Sequence, residues 1–168
     1  WVAAVSVQSK NGQTGDQNHA FSKACIDHIE SNLSIDPNRR YFTGGSGGGS
    51  MSMYNCFLMK GAGAMPVIGY TNADLTSGHF YVIGGTTDYN RYITADIAAK
   101  FEDDAIHRFF AGGHGGAPKT HYEDGLAWFM AKYLAENRKD VADEMLDYEF
   151  AMIRWIQNNL VKNRPHLA

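Results

Sequence analysis

Apolar and polar residues alternate along the chain in short blocks, and these blocks predict strands and helices in turn. Five short apolar runs, each bounded by glycine or polar residues, are typical of buried strands. They are residues 2–7, 40–43, 65–70, 80–83 and 106–111. Between them, apolar residues recur every three or four positions, which is the spacing of an amphipathic helix. In the first such segment the apolar stripe consists of Phe21, Cys25, Ile29 and Leu33.

The predicted helices fill most of the intervals between the strands. The first is expected to be capped by Asp16 or Asn18 and to end before Pro37, because proline cannot continue a helix. The others are predicted over residues 51–61, 92–101, 123–136 and 140–162. Strands that alternate with helices in this way specify a parallel sheet. We therefore predict an α/β fold with a mostly parallel sheet of about five strands and helices on both faces.

Composition and charge narrow the class of protein. A length of 168 residues favours one domain, and 12% aromatic residues argue against intrinsic disorder. The formal net charge is −3 and the chain has no basic cluster, so nucleic acid is not an expected partner. No run approaches the roughly 18 consecutive apolar residues of a membrane span, so the chain is expected to be soluble, with no membrane partner.

The two ends of the chain carry separate expectations. The sequence opens at Trp1 without an initiator Met, which suggests a processed product or a fragment. Its apolar start lacks the basic segment and the cleavage site of a signal peptide, so no compartment is predicted. Residues 137–168 are predicted to form a helical extension of a core that comprises residues 1–136. The last helix has an apolar side that would cover the core or a partner subunit, as in a homo-oligomer. That side consists of Met145, Ile153, Ile156 and Leu160.

The cysteines do not form a disulfide framework. Cys25 and Cys56 both lie on apolar faces of predicted helices. We expect buried free thiols, since free cysteine packs as a small hydrophobic residue. One bridge between the two is the alternative.

Half of the 18 glycines fall in two clusters. One cluster surrounds Ser46 and the other surrounds His114. Their members are Gly44, Gly45, Gly47, Gly48 and Gly49, and Gly112, Gly113, Gly115 and Gly116. Glycine concentrates where the backbone takes an unusual conformation or approaches another group closely. Here it does so beside one candidate nucleophile and one candidate base.

The first cluster contains the pattern G-x-S-x-G as Gly44, Ser46 and Gly48, between a predicted strand and a predicted helix. In this context the serine hydroxyl is presented on a sharp turn above the sheet, and glycine at both Gly44 and Gly48 is expected to remove side chains that would collide with neighbouring elements. The helix N-terminus directs N–H groups at developing negative charge, and Gly47 N–H is the expected oxyanion donor. A flexible linker, a phosphate-binding loop and a turn without chemistry are the alternatives. The apolar flanks disfavour the linker, and the missing G-K-[ST] ending disfavours the phosphate loop.

A serine nucleophile needs a base that a carboxylate orients. Asp88 follows the strand at residues 80–83, and His114 follows the strand at residues 106–111. Functional groups of open α/β sheets gather at the carboxyl ends of strands. Ser46, Asp88 and His114 each follow a different predicted strand, so they are the expected triad.

Other residues compete for these roles. Asp74 is the second candidate for the carboxylate, and His121 is the second candidate for the base. A metal site formed by His114, His121 and Glu123 matches no common zinc spacing, so no metal is expected. The remaining histidines are expected to be surface or packing residues: His19, His28, His79, His107 and His166.

The stretch from residue 35 to residue 48 resembles a known family. It reads IDPNRRYFTGGSGG and is similar to the serine region of α/β-hydrolases in the esterase and polyhydroxybutyrate-depolymerase-like branch. The resemblance extends over residues 1–136 and includes the segments 85–88 and 110–116. It implies an α/β-hydrolase core that lacks the family's N-terminal strands, with residues 2–7 in the place of the family's fourth strand.

The resemblance also implies a reaction. It points to hydrolysis of a small-molecule or polymeric carboxylic ester through an acyl-enzyme, with Ser46, Asp88 and His114 as triad and with no cofactor. The family's second oxyanion donor comes from a loop that has no counterpart in this chain. Thr43, Gly45 and Tyr70 are expected to line the substrate site. A non-catalytic binding domain, and a peptidase or acyltransferase with the same triad, are the alternatives.

Overall fold

Four parallel strands form one sheet in the described residues. The computed structural model describes residues 2–72, 74–137 and 143–163. Within these residues the strands are hydrogen-bonded in the order β1-β2-β3-β4, and all three pairs are parallel. They are β1 (Tyr41–Gly45), β2 (Gly63–Val67), β3 (His79–Gly85) and β4 (Ala105–Phe110). The predicted α/β class with a parallel sheet is confirmed.

Five α-helices accompany the strands in the described residues, near the predicted positions. They are α1 (Gly15–Asn32), α2 (Gly47–Leu58), α3 (Arg91–Lys100), α4 (Lys119–Asn137) and α5 (Asp143–Asn163). Helix α1 is capped by Thr14 and not by Asp16 or Asn18: the Thr14 hydroxyl accepts the N–H of Gln17, whose side chain accepts the N–H of Thr14. Residues 140–142 of the predicted last helix lie outside the described residues.

The core between the sheet and two of the helices is apolar. Helices α2 and α3 supply Met53, Cys56 and Ala98, which pack with alternate residues of β2 and β3. Those sheet residues are Ala64, Phe80 and Val82. Strand β2 is buried throughout because it has a strand on each side, as interior strands of parallel sheets do.

The predicted strand at residues 2–7 is wrong. In the structure this segment has no strand, and Val2, Val5 and Val7 are 53%, 77% and 92% exposed. A strand needs a neighbour that satisfies its N–H and C=O groups. Residues 2–7 form no ladder with any described strand, so their apolar composition alone does not make a strand.

The chain divides into two compact units, residues 1–116 and residues 117–168. In the second unit, Met130 and Leu134 of α4 pack with Leu146 and Ile153 of α5. Ile153 and Ile156 of the predicted apolar side of α5 are buried, whereas the side chains of Met145 and Leu160 lie outside the described part, as does His166. The division at residue 136 into a catalytic core and an extension remains a prediction. None of the described helices combines the length and the apolar character that crossing a bilayer requires.

Both cysteines are free, so the alternative of a bridge between them is wrong. Cys56 is buried, and burial raises the pKa of its thiol to about 12. Cys25 is only half-buried. The expectation of a buried thiol therefore applies fully to Cys56 alone.

Candidate active site

The three predicted catalytic side chains follow three different strands. Ser46 comes directly after β1, Asp88 three residues after β3, and His114 four residues after β4. Because the strands are parallel, their carboxyl ends lie at the same edge of the sheet. All three residues belong to the compact unit formed by residues 1–116.

Ser46 occupies a strained turn between β1 and α2. Its backbone has φ 52° and ψ −119°, in a region that residues other than glycine rarely adopt. The N–H of Ser46 donates to the carbonyl of Val67 at 2.9 Å, which fastens the turn to the end of β2. A Cβ at Gly69, just beyond β2, would overlap the carbonyl oxygen of Ser46. The turn is therefore held by close backbone contacts with the segment after β2.

The glycines around Ser46 have unequal roles. A Cβ at Gly44 would lie 2.5 Å from the carbonyl oxygen of Gly48, which is closer than real Cβ atoms approach. A Cβ at Gly48 would meet nothing within 4 Å. Gly49 is the other crowded position, since its Cβ would lie 3.0 Å from the carbonyl oxygens of Gly44 and Val67. The expectation that Gly44 and Gly48 both relieve crowding is thus correct for Gly44 only.

His114 is hydrogen-bonded to Ser46 and to Asp88 through different ring nitrogens. Its Nε2 lies 2.7 Å from Ser46 Oγ, and its Nδ1 lies 3.2 Å from each carboxylate oxygen of Asp88. When Nδ1–H donates to the carboxylate, Nε2 carries the lone pair and faces the serine hydroxyl. This arrangement lets the imidazole accept the hydroxyl proton.

Asp88 is the buried member of the three. Its side chain is 1% exposed, and Oδ1 also accepts the N–H of Asn90 at 2.8 Å. Asn90 in turn donates through its side-chain amide to the carbonyl of Ile68. Besides the hydrogen bond from Nδ1–H of His114, the carboxylate thus has a backbone donor, which compensates in part for its removal from water.

The loop that carries His114 lies directly against the end of β3. The N–H of Thr86 donates to the carbonyl of Phe110 at 3.0 Å, and the N–H of Thr87 donates to the carbonyl of Gly112 at 2.9 Å. A Cβ at Gly85 would lie 2.6 Å from the carbonyl oxygens of both Gly112 and Gly113. The absence of a side chain at Gly85 is what lets the two loops approach this closely.

The other predicted site residues lie around this centre. Gly47 is the first residue of α2, so its N–H has no acceptor within the helix. Gly45 is the exposed last residue of β1, and Tyr70 is half-buried after β2. Thr43 donates its hydroxyl to the carbonyl of Met65 at 2.8 Å. A substrate contact for Thr43, Gly45 and Tyr70 remains a prediction.

The competing candidates have other partners. Asp74 is exposed and pairs with Lys100 at 3.2 Å, so Asp88 and not Asp74 is the carboxylate beside His114. His121 is buried in the first turn of α4, and Glu123 pairs with Lys119 at 3.0 Å. His114 is the histidine that contacts Ser46.

Two residues of this region were not anticipated from the sequence. The ring of Tyr89 stacks on that of His114, with centroids 4.4 Å apart and planes inclined by 17°. The side chain of Asn11 lies against Gly47, where it occupies the position that a Cβ would take. Tyr89 directly follows Asp88, so its proximity was available from the sequence. Asn11 is 35 positions before Ser46, and no local pattern marks it.

The comparisons with known proteins give structural likenesses only. No family model matches the chain, and no curated protein matches it. One similar solved structure is esterase PE8, with a TM-score of 0.56, 18% identity, and coverage of 68% of this chain and 60% of that one. Another is the S-formylglutathione hydrolase FrmB from Staphylococcus aureus, with a TM-score of 0.50, 12% identity, and coverage of 87% of this chain and 61% of that one.

These likenesses concern the fold. They confirm the predicted α/β fold with a mostly parallel sheet. The chain spans about three fifths of the length of each of the two structures.

Proposed function

We propose that this chain is a serine hydrolase that cleaves carboxylic esters through an acyl-enzyme. The observation that carries the proposal is the pair of contacts made by His114, with Nε2 at 2.7 Å from Ser46 Oγ and Nδ1 at 3.2 Å from the buried carboxylate of Asp88. A weak nucleophile, a base within hydrogen-bond distance and a carboxylate that orients the base are the parts that acyl transfer requires. The two similar structures are named as an esterase and a hydrolase, which agrees with this chemistry.

Acylation begins when Ser46 Oγ attacks the carbonyl carbon of the ester. The hydroxyl proton moves to Nε2 of His114, and the carbonyl oxygen becomes an oxyanion. The bond between carbon and the alcohol oxygen then breaks, and the proton on Nε2 passes to the departing alcohol. Asp88 holds the imidazole in the required tautomer and stabilises its charged form without taking the proton itself.

The oxyanion would be bound at the start of α2. Gly47 supplies an N–H that the helix does not use, and the positive end of the helix dipole lies at the same place. A single donor of this kind is worth about 3–4 kcal/mol of transition-state stabilisation. The strained conformation of Ser46 keeps the hydroxyl at the N-terminus of the helix.

Deacylation uses the same groups in reverse. A water molecule gives its proton to Nε2 of His114 and attacks the acyl carbon, and the second oxyanion forms beside Gly47. The bond to Ser46 Oγ breaks, and Oγ recovers a proton from His114 as the carboxylic acid leaves. The products are one acid and one alcohol, and the protein returns to its starting state.

The substrate class follows from the exposure of these groups. Ser46 is half-buried and the side chain of His114 is 26% exposed, so the reacting atoms are accessible from the surface of the unit formed by residues 1–116. The segment between Ser46 and Asp88 holds α2, β2 and β3, which leaves little chain for a lid. We therefore infer a small ester or an ester linkage of an accessible polymer.

A fluorophosphonate probe and a short p-nitrophenyl ester test the proposal. The wild-type chain should be labelled on Ser46 and should release nitrophenol. Ser46→Ala and His114→Ala should abolish both, and Asp88→Asn should reduce the turnover about 10³- to 10⁴-fold. Ser31→Ala is the matched control, because Ser31 is an exposed serine of α1 that hydrogen-bonds His28.

The decisive readout is the dependence on Ser46. Turnover or labelling that is equal in wild type and Ser46→Ala would show that the chemistry lies elsewhere. A folded wild-type chain that neither reacts with the probe nor hydrolyses the ester would identify a binding domain with a hydrolase fold.

A further inference from the structure

We propose that Tyr89 is a positioning residue that holds the imidazole of His114 in line with Ser46, through its ring and not through its hydroxyl. This inference rests on the proposed function, because it concerns how the base of that reaction is kept in place. The observation behind it is the stacked pair of rings, with centroids 4.4 Å apart and planes inclined by 17°.

The loop around His114 is fastened to the end of β3 as far as Gly112 and is closed by one hydrogen bond, from the N–H of Gly115 to the carbonyl of Gly113 at 2.9 Å, and these backbone contacts do not hold the imidazole itself. Gly112, Gly113, Gly115 and Gly116 flank the histidine, and a Cβ at Gly115 or Gly116 would meet nothing within 4 Å. Glycine leaves the backbone more conformational freedom than any other residue. A base on such a loop must be fixed by groups from outside the loop.

Asp88 and Tyr89 provide this fixation from two directions. The carboxylate of Asp88 hydrogen-bonds one edge of the imidazole, at Nδ1, and so restricts the ring within its plane. The hydrogen bonds at Nδ1 and Nε2 both leave the ring free to tilt about the line that joins these two nitrogens. The phenol ring of Tyr89 covers one face of the imidazole and opposes this tilt.

The hydroxyl of Tyr89 is a second polar neighbour of Nε2, and it reaches this atom from a different direction than Ser46. The Tyr89 oxygen lies 3.0 Å from Nε2 of His114. Because the two rings are stacked and nearly parallel, this oxygen approaches the face of the imidazole and not its edge. The lone pair of Nε2 lies in the plane of the ring, where Ser46 Oγ is 2.7 Å away. The ring contact is therefore the part of Tyr89 that acts on His114.

Tyr89 is itself firmly anchored although its side chain is 71% exposed. The N–H of Asp88, just before it, donates to the carbonyl of Gly85, and the N–H of Asn90, just after it, donates to the carboxylate of Asp88. Helix α3 begins immediately afterwards, with Asn90 as its N-cap. The backbone of Tyr89 is thus held on both sides. Its ring can therefore restrict the motion of the imidazole that it contacts.

The test compares Tyr89→Ala and Tyr89→Phe with the wild type in Ser46-dependent ester turnover. Tyr89→Ala should lower kcat about 2- to 10-fold, the range expected for loss of an aromatic pair, with KM changed less than about 2-fold. Tyr89→Phe keeps the ring and should retain kcat within about 2-fold of wild type. The rate of fluorophosphonate labelling should follow kcat, since it also depends on proton transfer to His114.

Tyr92→Ala is the matched control. Tyr92 is 67% exposed, lies three residues further along the chain, and contacts the guanidinium of Arg91 at 4.3 Å from its ring centroid. Its removal deletes the same kind of exposed ring and should leave kcat unchanged.

A rescue experiment separates positioning from a merely structural role. Gly115→Ala restricts the backbone of the loop at a position that has room for a Cβ. This restriction should raise the population of one backbone conformation by a factor of about 2–5. In the Tyr89→Ala background it should recover kcat by about that factor. In the wild type, where the ring already holds His114, it should change kcat less.

Three outcomes would overturn the inference. They are a wild-type kcat in Tyr89→Ala, a loss in Tyr89→Phe as large as that in Tyr89→Ala, and a change confined to KM. Absence of Ser46-dependent turnover in the wild type would instead overturn the proposed function, and with it this role of Tyr89.

Discussion

At the scale of single residues, Gly44 and Gly48 flank Ser46 symmetrically in the sequence but not in space. The position of a Cβ at Gly44 is filled by the backbone of Gly48, whereas the position of a Cβ at Gly48 is open. A backbone atom cannot move aside as the end of a flexible side chain can. A methyl group should therefore lower the free energy of unfolding at Gly44 and should not lower it at Gly48.

This asymmetry predicts opposite results for two alanine substitutions. Gly44→Ala should destabilise the fold by about 1–3 kcal/mol or more, as overpacking does, and should abolish labelling of Ser46. Gly48→Ala should be neutral or should stabilise α2 by up to about 1 kcal/mol, because alanine favours the helix over glycine. Urea unfolding of both variants measures the difference, and equal effects would contradict the geometry of the turn.

At the scale of elements, the site is assembled where the loop after β4 contacts the end of β3. Gly85 is the contact point, since its missing side chain admits the carbonyls of Gly112 and Gly113. The same loop carries His114, and the segment after Gly85 carries Asp88. The separation of the His114 and Asp88 side chains is thus set by one glycine at the end of a strand.

Gly85→Ala should displace the loop of His114 from Asp88 and Ser46. We expect a loss of Ser46-dependent turnover of about 100-fold, as displacements near 1 Å produce, with a folded sheet retained. Gly15→Ala is the matched control, because a Cβ there would meet the ring of Tyr54 at an ordinary 3.6 Å. Wild-type turnover in Gly85→Ala would show that the loop accommodates the methyl group without displacing His114, which would contradict the prediction.

Elements were predictable from the sequence where local pattern and packing agree. The four observed strands correspond to apolar runs that have neighbours in the sheet, and the strand ends correctly indicated Ser46, Asp88 and His114 as adjacent. The segment at residues 2–7 has the same composition but lacks a paired neighbour, and pairing is not a local property. The stacking of Tyr89 on His114 likewise depends on how closely two loops approach, and no sequence period encodes that distance.

At the scale of the whole molecule, His107 makes stability depend on pH. This residue of β4 has a ring 4.2 Å from that of Phe109, and its buried Nε2 has no hydrogen-bond partner among the described residues. Burial, and then the charge of Arg108, lower the pKa of His107 below 6.5. The folded state therefore disfavours the protonated ring, and the unfolded state binds more protons as the pH falls.

The free energy of unfolding should accordingly decrease as the pH falls through 6.5 and below, and it should be highest where His107 is neutral in both states. His107→Gln removes the titrating group, so its unfolding free energy should decrease less between pH 8 and pH 5. Urea unfolding at both pH values measures this difference, and other histidines contribute equally to both proteins. An identical decrease in wild type and His107→Gln would assign the pH dependence to another group.

The distribution of the site over three strand ends also makes it a reporter of folding. Ser46 and His114 are 68 positions apart, and they meet only when the ladders of β1 to β4 are all in register. Under the proposed function, a refolding chain should not react with a serine-directed covalent probe until the last of these ladders has formed. Pulsed labelling of one hydroxyl group would thus time the completion of the entire sheet.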